Sequence, residues 1–131
     1  MLRSAFVPLV LSTLLLAGPA ARGGTLATTP VLLKTGDGIM CIITNTGTKD
    51  ARAVSVEVLE WDDNGLPVPV TTTTPADLAP LGLVQASDLA TELSPVFGAC
   101  RFTFKGSAKG LRASANVLEN GSDLLDTQPA H

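Results

Sequence analysis

Two cysteines, one histidine and one tryptophan are the side chains of this 131-residue chain best suited to chemistry. His131 is the last residue, on a tail with nothing beside it to orient an imidazole. A serine or cysteine nucleophile needs a positioned base, and none is visible. Paired carboxylates could serve as acid and base, but the acidic residues fall mostly in turn-like stretches and on outward-facing positions, as solvated charge does. The chain therefore reads as non-catalytic. Cys41 and Cys100 each sit in an apolar, strand-like stretch. Two cysteines in an exported chain most simply pair, so a Cys41–Cys100 disulfide is expected.

Trp61 is followed by Asp62, Asp63, Asn64 and Gly65. Glu60-x-Asp62-x-Asn64-Gly65 offers oxygen ligands at alternate positions, as a calcium loop does. The bidentate glutamate such a loop needs at its twelfth position is replaced by Thr71. A hairpin turn with Gly65 at positive φ accounts for the same residues. Zinc lacks histidine and spare cysteine. No metal and no cofactor are expected. Trp61 with Asp62, Asp63 and Asn64 also has the make-up of a sugar-stacking platform, and equally of a tryptophan closing the end of a core. Met40 and Ile42 flank Cys41 on the opposite side of its strand, so they form either a covered second face or an apolar binding patch. Lys105, Lys109 and Arg112 gather near one turn and read as solvated charge.

The export reading comes from the start of the chain. Met1-Leu2-Arg3-Ser4 carries a positive charge, Ala5 to Ala17 is nearly all apolar, and Gly18-Pro19-Ala20 or Ala21-Arg22-Gly23 supplies small residues for cleavage. That is the layout of a signal peptide over residues 1–23, shorter than the ~20 apolar residues of a membrane span. Pro19 stands where a lipidated cysteine would be required. The mature domain, 24–131, then carries 7 basic against 12 acidic side chains, a net charge of −5. Such a chain is a poor partner for nucleic acid. Its expected location is secreted, periplasmic or extracellular, with no membrane-spanning segment after cleavage.

The elements that must position these residues show a period of two. Ile39, Cys41 and Ile43 share one face. Val54, Val56 and Val58 alternate with Ser55 and Glu57, and Trp61 breaks their parity, so it leans out or a bulge turns it in. Cys100, Phe102 and Phe104 alternate with Arg101, Thr103 and Lys105. Leu111, Ala113, Ala115 and Val117 follow. Pro30 marks an edge strand, and Pro67 with Pro69 mark either an edge strand or an irregular crossing segment. Turns at 35–38, 45–50, 62–65, 106–110 and 119–122 separate the runs, and 45–50 and 106–110 read as hairpins. Gly23 to Thr29 reads as a loose terminus, and residues after Leu125 as a frayed tail. Seven to eight short strands without a mature helix predict an all-β antiparallel sandwich or barrel, and the expected bridge between two core strands favours the sandwich.

Cys41 in the second strand, Trp61 ending the third and Cys100 two strands from the end resemble the immunoglobulin-like sandwich. Trp61 falls later after Cys41 than in antibody domains, and the chain has no tyrosine for a tyrosine corner. Closer still, residues 28 to about 118 resemble small secreted bacterial modules of the CARDB and fibronectin-III-like kind. The shared features are Ile43-Thr44-Asn45-Thr46-Gly47, the Val54–Val58 strand, Asp62-Asp63-Asn64-Gly65 and Leu78-Ala79-Pro80. The chain also resembles uncharacterised single-domain exported proteins that pair such a core with a Cys-Arg-Phe strand, here Cys100-Arg101-Phe102. The resemblance implies an adhesion or accessory role rather than a reaction: binding of an unidentified protein or envelope partner, or, alternatively, of polysaccharide.

Overall fold

The computed structural model describes residues 23–91, 94–120 and 123–131. The signal peptide expected over 1–23 thus lies outside the described residues save for Gly23, as do Gly121 and Ser122 of the turn expected at 119–122. Two antiparallel sheets make up the fold. The first contains β1 (Gly24–Ala27), β2 (Val31–Leu33), β4 (Ala51–Trp61), β5 (Pro67–Thr72), β6 (Ala76–Leu78) and β8 (Val96–Lys105). Its order is β1-β8-β4-β5, with β2 also on β8 and β6 also on β4. The second sheet contains β3 (Gly38–Asn45), β7 (Leu83–Leu89), β9 (Leu111–Glu119) and β10 (Asp123–Pro129), in the order β10-β9-β3-β7. β1 and β2 are one edge strand broken at Thr28–Pro30, and β5 and β6 are another broken at Thr73–Pro75. Each sheet is therefore four strands wide, which reconciles ten segments with the seven or eight strands expected.

The period-two pattern decides what faces inward. Ile39, Cys41 and Ile43 of β3 meet Val54, Val56 and Val58 of β4 and Cys100, Phe102 and Phe104 of β8 in one core, joined by Leu111, Ala115 and Val117 of β9. A disulfide joins Cys41 to Cys100, with Cα atoms 5.6 Å apart. It ties the central strands β3 and β8 across the gap between the sheets.

Two buried polar side chains fasten the strands where the ladders fail. Between β1 and β2, Thr28 replaces a ladder rung: its N–H donates to the Cys100 carbonyl (3.0 Å) and its Oγ1 accepts from the Cys100 N–H (2.9 Å). At the end of β3, Asn45 Nδ2 donates to the carbonyls of Lys49 and Leu78, both at 2.8 Å, while its Oδ1 accepts from Gly47 N–H at 2.9 Å. One amide thereby holds both the β3–β4 loop and the β6–β7 crossing.

Several connections differ from the sequence expectation. The turns at 45–50 and 106–110 are not hairpins: β3 to β4 and β8 to β9 each pass from one sheet to the other. β9 pairs β3 and β10 instead of β8. Alternation says which face of a strand is apolar, but not which neighbour covers its edge. Nor is the chain from Gly23 to Thr29 loose, since β1 pairs Gly24–Ala27 with Phe104–Arg101. The tail is likewise tied down. Ala130 N–H donates to the Ala113 carbonyl, and Ala27 and His131 exchange backbone hydrogen bonds of 3.0 and 3.2 Å. Unpaired edge donors and acceptors of β8 and β9 recruit these polar segments despite their few apolar side chains.

Because 59 residues separate the cysteines, replacing both by alanine should lower unfolding stability by about 4 kcal/mol in chemical denaturation. Asn45→Ala leaves the buried Leu78 carbonyl without its donor, with an expected loss of about 1–3 kcal/mol in the same measurement.

Candidate functional site

The end of β4 sets up the most distinctive surface. The register runs without a break from Ser55 opposite Thr103 to Glu60 opposite Gly98. Since Val54, Val56 and Val58 face inward, Leu59 and Trp61 face outward; no bulge turns Trp61 in. Phe97 stands three residues before the inward Cys100 and so shares Trp61's outer face, one step beyond the Glu60–Gly98 pair. Leu32 lies opposite Phe97 on the other side, and Pro67 lies opposite Trp61. The resulting row, Leu32–Phe97–Trp61–Pro67, crosses the outer face of the first sheet. Leu32 is 53% and Phe97 51% exposed, and Trp61 is partly buried. Leu59, only 6% exposed, and Ala99 lie in the next row.

Beside this row opens a cleft of about 630 Å³, lined by Pro30, Trp61, Asp62, Asp63, Gly65, Ser94, Pro95, Val96 and Phe97. Its lining is mostly apolar and includes two carboxylates, those of Asp62 and Asp63. Asp62 is committed to its own turn. One carboxylate oxygen accepts from the N–H groups of Asn64 and Leu66, each at 2.9 Å, and Gly65 takes a φ of 78°. Asp63 is exposed at the lip. Asn64 belongs to the turn and does not line the cleft. Among the described residues no three His, Cys, Asp or Glu side chains gather as metal ligands. Two rows further along the outer face, Arg101 Nε donates to Glu57 Oε1 at 2.6 Å, and that hydrogen bond raises the guanidinium pKa. The cleft can stack against flat or apolar groups and accept hydrogen bonds from a donor or cation.

Met40 and Ile42 lie elsewhere, on the outer face of the second sheet. No further layer of described residues covers them, yet they are partly buried. Met40 lies between Ser87 and Asn116, and Ile42 between Gln85 and Ser114, so polar neighbours dilute the apolar patch. Leu83 and Leu89 stand at the two ends of β7 on the same face, each more than half exposed. The fold therefore does not unite Met40 and Ile42 with the Trp61 group; the two sets look away from each other.

Sequence reading picked out Trp61, Asp62 and Asp63 but not Leu32, Pro30, Pro95 or the role of Phe97. Parity relative to Cys100 already puts Phe97 on an outer face; that it stands next to Trp61 depends on β4 pairing with β8. Compared with models of protein families, with curated proteins and with solved structures, the chain matches none.

If the Glu60–Gly65 stretch is a turn and not a cation loop, millimolar calcium should leave the thermal midpoint where it is. Asp62→Ala should cost about 1 kcal/mol, the worth of an ordinary hydrogen bond or two at an exposed turn, in calcium and in chelator alike.

Proposed function

We propose that this chain is an exported, non-catalytic sandwich of the immunoglobulin-like kind that binds a protein on or outside the cell. The Leu32–Phe97–Trp61 row and its cleft are its recognition surface. Pairing of β3 with β7 and of β4 with β8, together with a bridge from β3 to β8, supports the immunoglobulin-like reading. The same relations hold between strands B and E, C and F, and B and F of those domains. The end strands differ, because β1/β2 lies beside β8 and β9 lies beside β3. The charged start and apolar run of residues 1–17, ahead of Gly18-Pro19-Ala20, support export through a cleaved leader. A disulfide fits that compartment.

One observation carries the binding role: an exposed phenylalanine and leucine stand in one row with a partly buried tryptophan on a sheet face, next to buried Leu59, with acidic groups at one end. Exposed aromatic anchors of this sort dominate protein interfaces, and monomers rarely leave them contiguous without a use. Prolines at 30, 67 and 95 give the surface rigid edges. The partner segment best suited to it is extended and apolar, with a basic residue to meet Asp63. The second reading, carbohydrate binding, is favoured by Trp61 and Asp63 lining one cleft, since a sugar ring stacks on an indole while its hydroxyls donate to a carboxylate.

The purified domain should retain a protein from its own cell's envelope or medium and release it to excess free domain. Trp61→Ala and Phe97→Ala should each weaken this by about thirtyfold, the effect of losing about 2 kcal/mol at an anchor. Met40→Ser, on the other face, should bind as the parent does. Retention of a neutral polysaccharide with no protein, lost in Trp61→Ala, would transfer the surface to the second reading.

A further inference from the structure

The end of the sandwich opposite Trp61 carries the opposite charge. β4 begins near Arg52 and ends at Trp61, while β8 runs back from Phe97 to Lys105. At about 3.3 Å per residue the two ends lie about 25–30 Å apart. At the Arg52 end the β3–β4 and β8–β9 loops close on each other. Thr46 N–H and Oγ1 both donate to the Gly110 carbonyl, at 2.7 and 2.8 Å. A Cβ on Gly110, whose φ is 86°, would stand 3.0 Å from the Gly47 Cα. The seam admits no bulk, and it fixes the two loops relative to one another.

A cleft of about 720 Å³ runs along this seam, and Lys49, Arg52, Lys105, Lys109 and Arg112 all line it. They are five of the seven lysines and arginines after residue 23 in a chain whose net charge is negative. All five are exposed. Lys105, Lys109 and Arg112 are close in sequence; the fold adds Lys49 from the other loop and Arg52 from β4. Arg52 arrives by a specific device. A one-residue bulge at Ala53, φ 51°, interrupts the register between Arg52 and Ser55 and sets Arg52 opposite Lys105. Asp77 accepts the Ala53 N–H at 3.0 Å and so holds the bulge. Like charges directly opposite in a ladder are destabilising. Among the described residues that line the cleft, Asp50 alone is acidic, and the pairing of Asp77 with Arg52 at 3.6 Å is open to solvent. Folding gains little from this arrangement, whereas an anionic ligand gains from every member.

We infer that this cleft binds an anionic polysaccharide, one bearing carboxylate, sulfate or phosphate groups along its chain. Five cations spread over two loops and the adjoining ends of β4, β8 and β9 exceed what a single small anion engages, and they suit a chain with charges at intervals. Thr46, Thr48 and Ser107 add hydroxyls for sugar oxygens. Nucleic acid suits the cleft less. No aromatic side chain lines it for base stacking, and the rest of the domain is acidic. The site stands apart from the Trp61 surface, so either can fail without the other.

The test is affinity electrophoresis of the purified protein at about 50 and about 200 mM salt, where phosphate-type contacts separate clearly. The probes are heparin, polygalacturonate, neutral dextran and a single-stranded oligodeoxynucleotide. Heparin or polygalacturonate should retard the protein, and dextran should not. The double variant Lys105→Gln/Lys109→Gln should bind about tenfold more weakly at the lower salt, with the slope of log affinity against log salt reduced by about one for each lysine removed. Lys34→Gln, remote from the cleft, removes one charge and should change neither quantity. Failure of both anionic glycans to bind, an unchanged affinity in the double variant, an equal loss in Lys34→Gln, or tighter binding of the oligonucleotide than of either glycan would each overturn the assignment.

Discussion

Cys41 and Cys100 lie on the inner faces of β3 and β8, the strands that each sheet builds outward from, and the bond between them sets how those sheets meet. β3 has β7 and β9 as neighbours, and β8 has β4 and the broken β1/β2 edge. Every inward side chain is thus referred, directly or through one neighbour, to the two bridged strands. A domain of about 100 residues buries a smaller share of its surface than a larger one would, and its core is mostly valine, alanine, leucine and isoleucine with two phenylalanines. A cross-link between the centres of the sheets removes much of the freedom of the unfolded chain, which a core of small side chains offsets less readily on its own.

The same frame explains where binding surfaces can form. A strand with one face in the core must present its other face outward, so the outer faces of β4 and β8 are available at no expense to packing. On most of that area the chain places the Ser55–Thr103 hydroxyl pair and the Arg101–Glu57 ion pair. Only toward the Trp61 end does the outer face become aromatic and proline-rich. At the other end, connections crossing between sheets bring two loops together and gather basic residues there. The molecule is consequently polar along its strands: aromatic and acidic at one end, basic at the other.

Much of this was open to reading from residue order alone. Alternation identified the inward residues of β3, β4, β8 and β9, because a side chain's face repeats every second residue whatever its neighbours are. The disulfide followed from two cysteines in strand-like stretches of a chain with a leader-like start. The Asp62–Gly65 turn followed from residues that favour positive φ and bond to their own backbone. Trp61, Asp62 and Asp63 could be singled out for the same local reasons. Tertiary structure alone decided which strands pair. Chain order does not say whether β8 turns back on itself or crosses to the facing sheet, since both leave the same face apolar. That choice put Leu32, Phe97 and Trp61 in one row, brought Lys49 and Arg52 to Lys105, Lys109 and Arg112, and drew the polar ends of the chain into the sheets. Local chemistry depends on a residue and its near neighbours, and so it is written in the sequence; a surface assembled from distant segments depends on pairings whose energy is shared over the whole core.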